Sequence, residues 1–453
     1  MRYIPHTPED QCSMLDTIGA SSVEELFCSI PSDCRLQAGI DIPEGLAECE
    51  VLARCSSLAS ANVDTTRIIS FAGGGAYHHF IPSAVDQLLL RSEFYTAYTP
   101  YQPEVSQGTL QAVFEFQTMV ARLLEMDLSN ASLYDGSTAL SEATLMCARV
   151  FKGKRTKVVF AGAIHPEYLA VVRTSIEDPE HDMVVIPPGP DGRLDREALR
   201  LALDDTVAGV VVQYPNFFGL LEDVQAARTL SSAVGALLVV SFTEPVAFGL
   251  LKAPGEFGAD IVVGEGQSLG MPPSFGGPYL GLLTCRKEFV RSVPGRLVGQ
   301  TVDRNGNQCF VITLATREQH IRRAKATSNI CTNQGLCALA SSIYMSLLGA
   351  NGFSKLSTLN HQAAVTVREA LASVPGVTFP HGDVPFFNEF VVQVPGSAAS
   401  LVDRMVAEGV VPGVALSRFP GLPENQLLVT ATELTTREHI QRYVEVLGQA
   451  ILG

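Results

Sequence analysis

The sequence lacks the features that mark several classes of protein. Its formal net charge of −15 leaves it without the overall basic balance of a nucleic-acid-binding protein. Its ten cysteines include no C-x-x-C pair, so the close pairs of a zinc ribbon or a thiol redox motif are missing. We therefore expect no nucleic-acid partner, no metal site, and free cysteines buried as small hydrophobic residues.

The sequence also lacks targeting and membrane signals. The first residues, MRYIPHTPEDQCSML, contain early acids and prolines and no apolar core segment, unlike a signal or transit peptide. No stretch is judged to reach the roughly 20 uncharged apolar residues of a membrane span. These absences predict a cytoplasmic protein without a membrane partner.

What is present is enough apolar sequence for a large core. The chain has 453 residues, 46% of them hydrophobic, so we expect more than one domain. Residues 1–60 carry helical patterns and a serine N-cap in SSVEELFCSI, which predict an N-terminal helical arm. We place a large domain at 61–350 and a small C-terminal α+β domain at 351–453.

Six short apolar runs within the large domain alternate with helical patterns. Most are continuous Val, Ile and Leu runs, which are typical of strands covered on both faces in a parallel sheet. The pattern predicts a doubly wound α/β domain. The predicted strands are 157–162, 182–187, 207–215, 236–242, 260–265 and 280–285.

In such sheets, ligands bind beyond the carboxyl ends of the strands. Gly136, Ser137 and Thr138 open a predicted helix, whose free N–H groups suit a phosphate; a plainly capped helix is the alternative. His165 follows a predicted strand, and a structural histidine is the alternative there. The glycines of FAGGGAYHHFIP (71–82) lack the spacing of a nucleotide-binding motif and are a weak signal.

Two further segments have unusual compositions. Residues 93–108 contain Pro100 and Pro103, which exclude a long helix, and they predict either a recognition surface or a covering loop. Residues 316–335 begin with a predicted basic helix, which in so acidic a chain is the best candidate for binding an anion, although a solvated charged face is the default. The first segment offers Tyr95, Tyr98, Tyr101 and Gln102, and the second offers Arg317, Arg322, Arg323 and Lys325.

Several segments in order closely resemble the P-protein family of the glycine cleavage system. They include EFYTAYTPYQPEVSQGTLQAVFEFQTMVARL, NASLYDGSTALSEA, SFGGPYLGLL, PGRLVGQTVD and TREQHIRRAKATSNICTNQ. The resemblance covers almost the whole chain and is to the subunit equivalent to the N-terminal half of the single-chain form. It implies a fold type I pyridoxal-phosphate-dependent transferase-like large domain. It also implies that the assembled enzyme decarboxylates glycine and passes the aminomethyl group to the lipoyl arm of the H-protein.

Pyridoxal-phosphate chemistry needs a lysine for the Schiff base and a carboxylate for the pyridine nitrogen. Aligned on the family's catalytic subunit, this sequence has Ser241 at the position of the carboxylate. Gln267 and Ser268 stand where the family has a His-Lys pair. None of the seven lysines follows a sheet strand at the expected turn. The degenerate site is defined as Ser241, Gln267, Ser268, Gly136, Ser137, Thr138 and His165.

The resemblance therefore implies a subunit without catalytic residues of its own, inactive alone. A homologous partner would hold the pyridoxal phosphate, in an α2β2 assembly. The alternatives are an independent pyridoxal-phosphate enzyme of another reaction type, and a purely structural or regulatory partner. Residues predicted to line the partner's pocket are Tyr95, Tyr98, Tyr101, Gln102, Ser328, Asn329 and Thr332, and the predicted anion contacts are Arg317, Arg322, Arg323 and Lys325.

Overall fold

The computed structural model describes residues 6–36, 39–176 and 182–452, and it divides the chain into two compact units that meet in sequence between Val63 and Asp64. The N-terminal unit contains helices α1 (Pro8–Ile18) and α2 (Glu48–Ser60) and a 3-10 turn at Val23–Phe27. None of these three elements has a buried residue. The helical character predicted for this region is present in α1 and α2, whereas SSVEELFCSI forms only the 3-10 turn, with Ser22 as its N-cap.

The expectation that the cysteines are buried was wrong for most of them. Only two are buried, Cys147 and Cys285, and two more are partly buried. The reason is their position, because five of the exposed ones lie in the N-terminal unit, whose helices bury nothing. All ten are free thiols, and the exposed ones are Cys12, Cys28, Cys34, Cys49, Cys55 and Cys331.

The C-terminal unit contains the remaining helices and all the strands of the described chain. The strands are β1 (Ile69–Ser70), β2 (Leu128–Ser129), β3 (Lys157–Ala161), β4 (Asp182–Ile186), β5 (Val207–Gln213), β6 (Leu237–Phe242), β7 (Ile261–Glu265), β8 (Gly281–Cys285), β9 (Leu297–Val302), β10 (Gln308–Thr313), β11 (Glu389–Gln393), β12 (Val410–Val411), β13 (Val414–Ala415) and β14 (Gln426–Thr430). The helices are α3 (Ser83–Leu89), α4 (Ser92–Tyr95), α5 (Gln107–Leu123), α6 (Gly136–Val150), α7 (Pro166–Ser175), α8 (Arg196–Ala202), α9 (Val224–Ala233), α10 (Gln319–Arg322), α11 (Gly335–Leu371), α12 (Ala398–Ala407) and α13 (Arg437–Leu452).

A seven-stranded sheet with the order β2-β8-β7-β6-β5-β3-β4 forms the centre of this unit. The strands from β3 to β7 are parallel, whereas β8 is antiparallel to β7, and the edge strand β2 is antiparallel to β8. Alternate residues of β6 enter two different cores: Leu238 and Val240 pack on one face and Val239 on the other. The sheet is therefore covered on both faces, which confirms the predicted doubly wound α/β fold and its six strands.

The C-terminal part has a second core around the antiparallel sheet β11-β14-β13. Helices α12 and α13 pack there, and the short strand β1 pairs in parallel with β12. The boundary predicted near residue 350 falls inside α11, where Gly349 has φ 58° and ψ 180° and interrupts the helix. Residues before this break pack in the core of the large sheet, and residues after position 360 pack in the second core.

Helix α11 also meets the length and hydropathy that a membrane-spanning helix needs, which was not expected from the sequence. A single such helix is weak support for a membrane span, because core helices have the same composition. Ala338 and Tyr344 pack in the large core, and Val367 and Leu371 pack in the second one. In this structure the helix therefore has the position of a core element.

The predicted basic helix beginning at residue 316 does not form. Two 3-10 turns, Ala315–Arg317 and Arg323–Lys325, flank the four-residue helix α10. Arg323 has φ 52° and ψ −125°, a conformation that interrupts a helix. The basic side chains are therefore displayed from a broken segment rather than along one helical face.

Candidate functional site

The carboxyl ends of β5 and β6 carry two polar side chains of the degenerate site and its surroundings. Gln213 and Ser241 are paired in register across the two strands, and both are buried. Gln213 Oε1 accepts a hydrogen bond from the backbone of His165 at 2.8 Å. Gln213 Nε2 and Ser241 Oγ have no hydrogen-bond partner among the described residues. The position expected to bind a pyridine nitrogen therefore offers a hydroxyl and no carboxylate.

The position expected for the cofactor lysine is closed by the chain itself. The Ser268 hydroxyl donates to Glu244 Oε2 at 3.2 Å, and Ser268 is buried. The side-chain amide of Gln267 accepts from the Tyr77 backbone N–H at 2.8 Å and donates to the Tyr77 carbonyl at 3.0 Å. These two residues bind neighbouring parts of the protein and offer no reactive group.

The segment 71–80, which the sequence presented only as a weak glycine signal, packs against this position. The fully buried Tyr77 donates its hydroxyl to Glu389 at 2.7 Å and lies 3.0 Å from the Thr243 hydroxyl. Glu389 also accepts from the Gly74 N–H at 2.7 Å. We name residues 71–80 the covering segment, because its aromatic and imidazole side chains fill space beside the strand ends.

A buried ionic cluster joins the covering segment to two other parts of the chain. His79 Nε2 lies 3.0 Å from Glu244, and His79 Nδ1 lies 2.8 Å from Glu433. Burial alone would lower the pKa of His79, but the charge of Glu244 and hydrogen bonds to both carboxylates raise the pKa to about 10. The imidazole is thus held as a cation between two carboxylates.

The start of α6 is capped by carboxyl groups of the chain. Asp135 is the N-cap, and its side chain accepts from the Thr138 N–H at 2.7 Å and the Ser137 hydroxyl at 2.7 Å. The Gly136 N–H donates instead to Glu265 Oε2 at 2.9 Å. The start of α6 is therefore a capped helix N-terminus, which was the alternative to a phosphate site.

Glu265 was missed as a residue of this site, although it stands at the end of a predicted strand. Its Oε1 accepts from the N–H groups of Gly266, Gln267 and Leu280 at 2.9–3.0 Å. Burial raises the pKa of Glu265 to about 8, while backbone donors, that of Gly136 first, pull the pKa down. The sequence signal was a single acid within an otherwise apolar strand.

His165 and Tyr168 complete the wall between α6 and the sheet. His165 Nε2 lies 2.7 Å from the Gly74 carbonyl, and burial lowers the pKa of His165. The rings of His165 and Tyr168 stack with centroids 4.7 Å apart. A Cβ built on Gly136 would lie 2.4 Å from the Tyr168 hydroxyl. Tyr168 therefore fills the space between the histidine and the helix start.

These residues do not fit pyridoxal phosphate. The electron-withdrawing ring needs a carboxylate at its nitrogen, and Ser241 supplies none. The Schiff base needs a lysine, and the position predicted for it has Ser268. Glu265 and Tyr168 occupy the start of α6, where a phosphate would bind.

Among the described residues, no group of three or more His, Cys, Asp or Glu side chains is placed to hold a metal ion.

A separate cavity of about 370 Å³ brings together residues from both unusual segments of the sequence. Its wall is mostly apolar, with contributions from Phe94, Val113 and Leu339. Two residues predicted for a partner's pocket, Tyr98 and Thr332, line it, and so does Arg296. We name it the Arg296 cavity.

Arg296 organises the polar side of this cavity and was not singled out from the sequence. Its guanidinium donates to Thr332 Oγ1 at 3.0 Å, to the Cys331 carbonyl at 3.1 Å and to Asn333 Oδ1 at 3.3 Å. It also lies 5.6 Å from the centroid of the Tyr101 ring. Arg296 is only 6% exposed, although its sequence context, PGRLVGQTVD, resembles an ordinary strand start.

Most of the predicted pocket residues lie on the surface, and Ser328 forms a hydrogen bond within the chain. Tyr95, Tyr98 and Tyr101 are 59%, 82% and 61% exposed, which is unusual for such large rings. Gln102 and Asn329 are also exposed. The Ser328 hydroxyl donates to Glu142 at 2.8 Å.

The four predicted anion contacts differ from one another. Arg322, Arg323 and Lys325 are exposed. Arg317 is partly buried, and its guanidinium donates to the carbonyls of residues 293, 295 and 314. Three cations are therefore accessible to a partner or ligand, while Arg317 holds the segment to the fold.

The architecture defines the class of protein. A glutamate decarboxylase from Lactobacillus brevis (strain CGMCC 1306) has the same fold with a TM-score of 0.67 at 13% identity, over 93% of this chain and 96% of that chain. Identity this low speaks for the fold alone. The C-terminal unit thus has the fold type I pyridoxal-phosphate-dependent transferase-like structure, as the resemblance implied.

Closer comparisons give the family. The family model "Glycine cleavage system P-protein" matches residues 1–447. A probable glycine dehydrogenase (decarboxylating) subunit 1 from Maricaulis maris (strain MCS10) is 48% identical over 99% of each chain. An inhibitor-bound crystal structure of glycine decarboxylase (P-protein) of the glycine cleavage system has a TM-score of 0.89 and 42% identity, over 99% of this chain and 100% of that chain. The chain belongs to the P-protein family of the glycine cleavage system, as subunit 1 of glycine dehydrogenase (decarboxylating).

Proposed function

We propose that this chain is the subunit of glycine decarboxylase that carries no cofactor, working in the cytoplasm in an α2β2 assembly with a homologous subunit that holds pyridoxal phosphate. The assembled enzyme binds glycine, releases CO2 and passes the aminomethyl group to the lipoyl arm of the H-protein. This chain alone is inactive. It contributes surface residues to the site of its partner.

One observation carries this proposal. The position predicted for the cofactor lysine is that of Ser268, whose hydroxyl donates to Glu244, and beside it Gln267 and Tyr77 form hydrogen bonds within the chain. The fold has kept the strand ends and helix start of a cofactor-binding enzyme while filling the cofactor's place. Chemistry that needs the cofactor then belongs to a second subunit of the same fold.

The exposed aromatic residues support a contribution to that subunit's pocket. Tyr95, Tyr98 and Tyr101 are exposed, Tyr98 lines the Arg296 cavity, and the Tyr101 hydroxyl accepts a hydrogen bond from Arg296 at 3.4 Å. Exposed tyrosines are enriched at protein interfaces. Arg322, Arg323 and Lys325 offer unburied positive charge for a carboxylate, a phosphate or the acidic surface of a carrier protein. The set proposed to face the partner's pocket is Tyr95, Tyr98, Tyr101, Gln102, Ser328, Asn329 and Thr332.

The N-terminal unit gives independent support for the proposal of an obligate partner. Its helices bury no residue, and it presents many large apolar side chains to solvent, which is unfavourable for a chain that works alone. A partner surface would remove them from water. The exposed side chains include Ile18, Leu36, Ile40, Ile42, Leu46, Leu52 and Leu58.

The deciding experiment is to purify this chain alone, the second subunit alone, and the two together. We expect glycine-dependent CO2 release and CO2 exchange only from the assembled pair, and a cofactor absorbance band only in preparations that contain the second subunit. Activity from this chain by itself would overturn the proposal. A visible cofactor band in this chain alone, lost on borohydride reduction with a labelled lysine, would indicate an independent pyridoxal-phosphate enzyme instead.

Two substitutions separate a pocket-lining subunit from a purely structural one. Tyr98→Phe removes one hydroxyl, and Arg323→Ala removes one exposed charge, and neither group is buried. We expect normal assembly with reduced glycine decarboxylation in at least one of them. If both variants assemble normally and keep full activity, these two positions do not line the pocket, and the structural role is favoured there.

A further inference from the structure

Four backbone N–H groups converge at the start of α6. They belong to Gly136, Gly266, Gln267 and Leu280, and all four point to one carboxyl group at 2.9–3.0 Å. Converging N–H groups at a helix N-terminus form a binding site for anions such as phosphate. Here the site is already filled, and what fills it is the side chain of Glu265.

The position of Glu265 explains how its side chain reaches these donors. It is the last residue of β7, next to the turn that contains Gly266 and Gln267. It is 2% exposed, so neither water nor a solute reaches the carboxyl group without a rearrangement. On the opposite side, the Tyr168 hydroxyl lies so close that a Cβ on Gly136 would collide with it.

We propose that Glu265 is a built-in occupant of the phosphate site of this fold, and that it prevents this chain from binding pyridoxal phosphate or any other phosphate monoester. The carboxyl group uses the N–H donors that a phosphate would need and takes the volume in which the phosphate would lie. This inference rests on the proposed function and extends it to the phosphate site. In an assembly of two homologous subunits, a filled site in one directs the cofactor to the other.

A purely structural glutamate would behave differently from a built-in occupant. Removing a structural carboxylate lowers stability and leaves unpaired donors, but it creates no affinity for phosphate. Removing an occupant uncovers four donors in a ready-made arrangement. Gain of a phosphate site is therefore the readout that distinguishes the two roles.

The matched control is Glu222, a second buried glutamate bonded to backbone N–H groups. It is 6% exposed and accepts from the N–H groups of Leu194 at 2.8 Å and Asp223 at 2.9 Å. Burial raises its pKa, as it does for Glu265. Replacing Glu222 removes the same functional group from a place that is not the start of α6.

The test measures binding of inorganic phosphate to the full-length chain by isothermal titration calorimetry, for the wild type, Glu265→Ala and Glu222→Ala. We expect Glu265→Ala to bind phosphate at least tenfold more tightly than the wild type and Glu222→Ala. We also expect phosphate to raise the melting temperature of Glu265→Ala alone, because a ligand of the folded state stabilises it. Should the alanine variant not fold, Glu265→Ser is measured in its place, since its hydroxyl still accepts one backbone hydrogen bond.

Phosphate affinity of the folded Glu265 variant equal to that of the wild type would overturn the inference. An equal gain in Glu222→Ala would overturn it too, because the effect would not belong to the start of α6. Enzyme activity plays no part in this readout. Failure of the assembled pair to decarboxylate glycine would therefore count against the proposed function and leave the phosphate result standing.

Discussion

His79 Nε2 lies 3.0 Å from Glu244 Oε2, and both side chains are buried. The other ring nitrogen contacts Glu433 at 2.8 Å. This single imidazole therefore connects the covering segment, the loop after β6 and the region before α13. His79 and Tyr77 thus lie beside Glu244 and Gln267, next to Ser268 at the position predicted for the lysine.

Replacing His79 with glutamine should be strongly destabilising. Removal of the imidazole leaves the buried Glu244 and the partly buried Glu433 without their cation, and breaking a buried pair typically costs about 3–5 kcal/mol. The pKa of His79 is raised to about 10 in the folded chain from 6.5, so the stabilisation is complete below pH 6.5 and is lost as the pH rises through about 10. In urea unfolding, the difference in the free energy of unfolding between wild type and His79→Gln should decrease from pH 6.5 to 9. The decrease should be at most about 1.4 kcal/mol per pH unit.

The exposed His6 provides the control for this measurement. His6→Gln should leave the free energy of unfolding unchanged. A gap between wild type and His79→Gln that stays constant over this pH range would mean that His79 is not held as a cation.

Gly136 should not tolerate a side chain. A Cβ there would lie 2.4 Å from the Tyr168 hydroxyl and 2.8 Å from the Glu265 backbone nitrogen. Because the backbone contact cannot move freely, Gly136→Ala should lower the free energy of unfolding by about 1–3 kcal/mol. Gly108, in the first turn of α5, has nothing within 4 Å of the place that a Cβ would take, so Gly108→Ala should be neutral or stabilising by up to about 1 kcal/mol. Equal denaturation midpoints for the two variants would contradict close packing at the start of α6.

Arg296 should act through the shape of its guanidinium as well as its charge. It donates to three groups on residues 331–333, and a lysine cannot reproduce this fork. Arg296→Lys should therefore leave the overall fold intact but increase hydrogen exchange of residues 328–333 by tenfold or more. Arg304→Lys is the control, because Arg304 lies in an exposed turn. Unchanged exchange in residues 328–333 would show that Arg296 does not order this segment.

The strands could be predicted because their signal is local. The run VAGVVVQ marks β5 by composition alone, and the structure has it at Val207–Gln213. The contacts that close the degenerate site have no local signal. His79 is 165 residues from Glu244 and 354 from Glu433, and Tyr77 is 312 residues from Glu389. Only the completed fold brings these partners together.

Ser268 and Glu265 differ in what the sequence alone tells about them. The prediction that Ser268 stands at the lysine position rests on the resemblance alone. The contacts of Glu265 could not be predicted, since an acid at the end of an apolar strand gives no sign of where its side chain points. Likewise, nothing in the sequence around Arg296 shows that residues 331–333 lie beside it.

The exposed tyrosine Tyr98 should contribute to binding the second subunit. It is 82% exposed and lines the Arg296 cavity, so most of the surface of its ring is available to a second subunit. Tyr98→Ala should weaken the affinity for the second subunit by about 10- to 100-fold, or about 1.4–2.8 kcal/mol. The stability of the isolated chain should change by less than about 0.5 kcal/mol, as for other exposed positions. Surface plasmon resonance with the immobilised second subunit measures the affinity, and Leu201→Ala, at a 70% exposed position on α8, is the control. Equal affinities for Tyr98→Ala and wild type, or an equal loss in Leu201→Ala, would place the subunit interface elsewhere on the chain.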